Sequence, residues 1–137
     1  MKSTIPKELI DAYLTTSFIV FNPEFAIRIG KISPELNELL IKEGVREWAC
    51  ITSVNPCSAF LPDEQNQKLY QELKESVKDY KFYEGHGVDT DPEWQPEKSL
   101  LILGIPGEEA IRIGNSYKQN AIVVGTINNP AELVLLR

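Results

Sequence analysis

The chain has 137 residues, 42% of them hydrophobic and 25% charged, which suits one globular domain over 1–137 and leaves no room for a second. No apolar run approaches the ~20 residues of a membrane span, which argues for a soluble protein with no membrane partner. The formal net charge of -6 repels phosphate backbones, and no Lys/Arg cluster offsets it, so nucleic acid is excluded as a general partner.

The opening MKSTIPKELIDAYL lacks the long apolar core of a signal peptide, and a cytoplasmic location is expected. Leu9, Ile10, Tyr13 and Leu14 follow at helical spacing, with Pro6 suited to the first turn. SFIVF and FAIRIG are β-rich runs separated by Asn-Pro-Glu, which predicts an antiparallel hairpin. In the second run Arg28 shares a face with Ala26, where it either meets a carboxylate or ligand or faces solvent.

ISPELNELLIKEG carries a complete helix signature: Ser33 as cap, Pro34 at the first position, Leu36, Leu39 and Leu40 as the buried stripe, and Gly44 as the stop. REWACITSV reads as a strand and PDEQNQKLYQELKESVKDY as a longer helix with an acidic first turn. The stripe Leu69, Leu73, Val77 continues backward onto Asn66, an amide where a hydrophobe is due. Asn55, Ser58 and the backbone of the NPCS turn are its nearest partners, which predicts a polar network joining the strand end to the helix. Such a network either braces the turn or contacts a ligand.

KFYEG reads as a further strand, followed by a loop, HGVDTDPEWQP, whose glycines would let it move as a cover. Glu84, His86, Asp89, Asp91 and Glu93 crowd into this region without the spacing of a calcium loop, so no metal is expected. KSLLILGI is apolar throughout, the pattern of a strand buried on both faces. GEEAIRIGNSYKQ is a helix, and its two first-turn carboxylates disfavour a phosphate there. NAIVVGTI and AELVLLR close the chain as strands around Asn128, Asn129 and Pro130, with Gln119 and Asn120 at the entry.

Strands alternating with helices, with hairpins near both ends, predict an α/β (α+β) fold: a mixed central sheet covered by about four helices. Ligands in such sheets gather beyond strand ends that lead into helices, which selects the loops 54–62 and 104–107. Cys50 and Cys57 fit no zinc pattern and are expected to be reduced. Cys57 with His86, the single histidine, forms a weak nucleophile and base pair, since nothing indicates that they meet.

Taken in order, FAIRIGKISPELNELL, ITSVNP, the Asn66 helix, EWQPEKSLLILGI, YKQNAIVVG and LVLLR resemble the bacterial domain-of-unknown-function family numbered 3293, from about Phe18 to Arg137. The resemblance implies a shared fold, and a shared set of polar positions at Asn55, Ser58, Asn66, Trp94, Glu97, Gln119 and Asn120. Gln95 displaces the proline of the family's Trp-Pro-Glu-like stretch. The family brings no established activity, and it weakens the thiol reading because its members carry other residues at the place of Cys57.

The residues together point to a site for a small polar metabolite or nucleotide. Asn55, Ser58, Asn66, Gln119 and Asn120 would supply neutral hydrogen bonds, Arg28 or Glu97 charge, and Trp94 a stacking wall, with no cofactor. Whether the site is catalytic stays open; Glu97 is the candidate general base. The alternative is a protein-interaction domain without a small-molecule site, in which the amides only brace the fold and the acidic loop or terminal strand meets a partner.

Overall fold

The computed structural model describes residues 4–90 and 95–137. Within these residues four helices, α1 (Lys7–Thr15), α2 (Pro34–Glu43), α3 (Asp63–Ser76) and α4 (Gly107–Ser116), accompany a single seven-stranded sheet. Its strands are β1 (Ser17–Val20), β2 (Phe25–Arg28), β3 (Glu47–Ile51), β4 (Lys81–Val88), β5 (Glu97–Leu103), β6 (Ala121–Thr126) and β7 (Glu132–Leu135), in the order β2-β1-β4-β5-β3-β6-β7.

The local signals act as their chemistry requires. Ser33 Oγ accepts the Leu36 N–H at 3.2 Å and caps α2, and Gly44 at φ 70° ends it by donating to the carbonyls of Ile41 and Leu40. The terminal hairpins β1–β2 and β6–β7 are antiparallel. Every ladder between named strands is antiparallel as well, and the parallel element is the bridge Ile29↔Ala131, where the two edges of the curled sheet touch. Gly30 N–H donates to Ala131 O at 2.8 Å and Ala131 N–H to Lys31 O at 3.1 Å across that seam.

The centre of the chain runs β3-α3-β4-β5-α4-β6 and its strands lie in the order β6-β3-β5-β4. This is the β-α-β-β-α-β, or split β-α-β, arrangement, in which each crossover leaves room for one antiparallel strand between its two strands. β1 and β2 extend this unit on one side and β7 on the other.

Both faces carry apolar side chains. Cys50, Leu101, Leu103 and Val123 pack with Leu36, Leu39 and Leu40 of α2. Ala49, Ile51, Leu100, Ile102 and Ile122 pack with Tyr70 and Leu73 of α3 and with Ala110 and Ile113 of α4. Ser99 to Leu103 are all buried, as the unbroken apolar run of β5 predicts.

Strand direction separates the two selected loops, and one expectation needs correction. β3 and β5 are antiparallel neighbours, so the segments that follow them leave opposite ends of the sheet: Ile51 pairs with Leu100, whereas Gly104 N–H bonds to Glu47 O. The loop 104–107 therefore lies away from the loop 54–62. The segment His86-Gly87-Val88 belongs to β4 rather than to a loop, paired with β1 on one side and β5 on the other. Gly87 suggested a turn, but the strand runs on through it, and the neighbouring Gly85 answers a steric demand of the sheet. A Cβ there would lie 2.2 Å from the backbone oxygen of Ile19.

Candidate functional site

The site is built where β3 ends. The chain turns through Asn55 and Cys57, both left-handed (φ 48° and 56°), in a single 3-10 turn at Pro56–Ser58 before α3 begins. Asn tolerates this conformation better than most side chains, which is one local reason for Asn55. Its side chain supplies the other. Asn55 Oδ1 accepts from Leu61 N–H at 2.9 Å and from Asn66 Nδ2 at 2.8 Å, and Asn66 Oδ1 accepts the Asn55 N–H at 2.8 Å. Asn66 Nδ2 also reaches Leu61 O at 3.3 Å, so the two amides close the loop onto the first turn of α3.

Asn55 Nδ2 then donates to Glu97 Oε2 at 2.8 Å, across to the first residue of β5. Glu97 is half-buried, and no ion pair reaches it among the described residues. Burial raises its pKa above the ordinary carboxylate value, and the Asn55 hydrogen bond opposes this only in part. An acid in such a place is a candidate for binding or proton transfer.

Asn55 and Glu97 stand between two hollows. Toward α3 lies a cleft of about 460 Å³ lined by Asn55, Phe60, Asp63, Asn66, Gln67 and Lys98, with Gln95 and Pro96 beside Glu97. That volume suits a metabolite-sized ligand. Phe60 is 78% exposed. On the other side lies a cavity of about 60 Å³, bounded by Tyr13 and Thr16 of the α1 end and by Thr52, Ser99 and Gln119 of the sheet end. It is too small for anything but water-sized groups.

Gln119 is buried and donates from Nε2 to Val54 O at 3.1 Å, while Lys118 O accepts the Cys57 N–H at 2.7 Å; together these tie the loop to the entry of β6. Asn120 is buried beside it, and its backbone oxygen accepts the Leu136 N–H. Asn55, Asn66, Glu97, Gln119 and Asn120 thus lie at one end of the sheet, with the Asn55–Asn66 pair bonded directly and with Gln119 and Asn120 outside the lining of the larger cleft.

Arg28 ends β2 at the same end but on an exposed position; β1 and β4 separate it from β5, and it lines neither hollow. The solvent-facing alternative describes it. The backbone of Ser58 lies in the 3-10 turn, and Trp94, Asp91 and Glu93 lie outside the described residues.

The remaining candidates separate. His86 sets its ring edge-on to Phe21, with centroids 4.9 Å apart, and Glu84 accepts from Tyr70 and Lys74. Among the described residues no group of three or more His, Cys, Asp and Glu could hold a metal ion. Cys50 is buried, with its thiol pushed up to about 12 by desolvation, and Cys57 is exposed; both are free. No described helix is long and apolar enough to cross a membrane.

Sequence reasoning passed over Phe60, Gln67 and Lys98. Phe60 carried a usable signal, an aromatic between Ala59 and Leu61-Pro62 just ahead of a helix start. Gln67 and Lys98 are ordinary surface residues in sequence and gain a role only through strand order.

No curated protein and no solved structure matches the chain. The model of the family described as Protein of unknown function (DUF3293) matches residues 51–122, more than half of the chain. That stretch runs from the last residue of β3 through α3, β4, β5 and α4 into β6, and it contains Asn55, Asn66, Glu97, Gln119 and Asn120. On this match, the chain belongs to the DUF3293 family.

Proposed function

We propose that the cleft beside Asn55 and Glu97 binds a small polar metabolite, a nucleobase or sugar being the best match to its size and lining, in the cytoplasm of a bacterium. The observation that carries this reading is the half-buried Glu97 carboxylate, held by one neutral amide and open to a cleft of about 460 Å³. A partly desolvated carboxylate without a cation carries a cost to the fold, and such costs concentrate where a ligand later supplies the missing partner. Phe60 offers a flat apolar wall, and Gln67 and Gln95 offer further amides. Asn66, within the lining, and Gln119, outside it, hold the Asn55 loop in place. The free thiols support a reducing compartment.

Thermal-shift screening against a metabolite library tests the reading. A ligand present at 100 times its Kd stabilises the fold by about 2.7 kcal/mol, which is readily detected. The shift is expected to be lost in Glu97→Gln and reduced in Phe60→Ala. A library without any stabilising compound, or shifts that persist unchanged in both variants, would contradict it.

A further inference from the structure

Accepting the binding reading above, we infer that the cleft selects ligands presenting a planar cationic group with paired N–H donors, such as an amidinium, a guanidinium or a protonated amino-heterocycle. The hydrogen-bond inventory of the wall leads to this class. Both donor hydrogens of Asn66 Nδ2 have acceptors, in Asn55 Oδ1 and Leu61 O, and Asn66 Oδ1 is taken by the Asn55 N–H. Asn55 Oδ1 already accepts two N–H groups. The amides of the wall are thus committed to one another.

Glu97 is different. An ionised carboxylate has about four acceptor positions, and the described residues place one donor, Asn55 Nδ2, on Oε2. A side-by-side pair of N–H donors on a delocalised cation matches a carboxylate in geometry and in charge, which a single ammonium does less well.

The rest of the lining agrees. Asp63 adds a second carboxylate to the cleft. Lys98 is the one cation lining it among the described residues, and its Nζ lies 3.3 Å from Gln67 Oε1 and 5.6 Å from the centre of the Tyr70 ring. No arginine lines the cleft among those residues to receive a carboxylate or phosphate. Phe60 supplies an exposed ring over which a planar cation can lie. The net charge of -6 favours the approach of a cation over that of an anion.

Three probes of nearly equal shape isolate charge from size: benzamidine, benzamide and benzoate. Each is titrated into the full chain while the backbone amide signals of Asn55, Leu61 and Gln67 are followed by NMR. Benzamidine is expected to move these signals and to bind at least tenfold more tightly than either other probe. Glu97→Gln should lower its affinity at least tenfold. Should that variant fold poorly, Phe60→Ala, a change at an exposed ring, should weaken benzamidine at least threefold while leaving the melting temperature in place. Benzamide or benzoate binding as tightly at the same amides would overturn the cation preference and leave the cleft reading intact. Silence from all three probes would overturn the preference too, and the library screen then decides the cleft reading separately.

Discussion

Asn55 joins three parts of the chain through one side chain: its own loop, the first turn of α3 and the first residue of β5. Removing it strands the Leu61 N–H and the Asn66 amide and puts alanine at φ 48°. We expect Asn55→Ala to cost about 2–4 kcal/mol, read by chemical denaturation, with Asn55→Gly recovering about 1 kcal/mol through the left-handed backbone alone. A loss below about 1 kcal/mol for alanine would show that the network carries little. Glu97, one bond further on, works against stability at neutral pH. Its folded pKa lies above the unfolded one, so between the two values the folded state holds the proton more firmly. Stability from this group is therefore greatest below the ordinary carboxylate pKa and declines as the pH rises through the raised folded value.

Among the elements, α2 shows what a sequence states outright. Its cap, its first-turn proline, its leucine stripe and its terminal glycine are all local chemistry, and each acts as spacing predicts. β4 shows the opposite. Gly87 reads as a loop former, yet it and its strand neighbour Gly85 serve the close approach of the β1 segment, a contact between residues more than sixty positions apart. Gly125 is a second such case, because the Trp48 indole lies across its cross-strand partner. A Cβ there would fall 2.5 Å from Trp48 Cζ2. Gly125→Ala should therefore destabilise by about 1–3 kcal/mol in equilibrium unfolding, as overpacking does, despite the better β propensity of alanine. An unchanged midpoint would mean that Trp48 has room to move. Asn37 and Asn128 exchange hydrogen bonds between α2 and the β6–β7 turn in the same long-range way.

At the scale of the molecule, the sequence announces helices, strands and terminal hairpins, but strand order is decided by pairings that no local pattern encodes. Alternating strands and helices selected the loops 54–62 and 104–107, each between a strand and a helix, without fixing which end of the sheet either occupies. The interleaved crossovers reverse β5 against β3 and put the two loops at opposite ends. The same interleaving brings Glu97, at the start of β5, beside Asn55, just beyond the end of β3, although forty-two positions separate them. Asn66 was legible because an amide interrupts a leucine stripe. Gln67 and Lys98 were not, because their place in the cleft depends on β5 lying next to β3. The curl that joins Ile29 to Ala131 partly closes the sheet edges, so edge-strand pairing through residue 131 is blocked by a bond already made.

Among the described residues, Glu97 is a carboxylate without an ion-pair partner at the wall of the cleft. Its most direct measurement is a carbon-detected NMR titration of the Glu97 carboxyl in the ligand-free protein. We predict a midpoint above the ordinary glutamate range, falling when benzamidine is added. A midpoint at or below that range in the free protein would mean that Glu97 is already satisfied by water or by the chain itself, and the cleft would lose the feature that makes it a site.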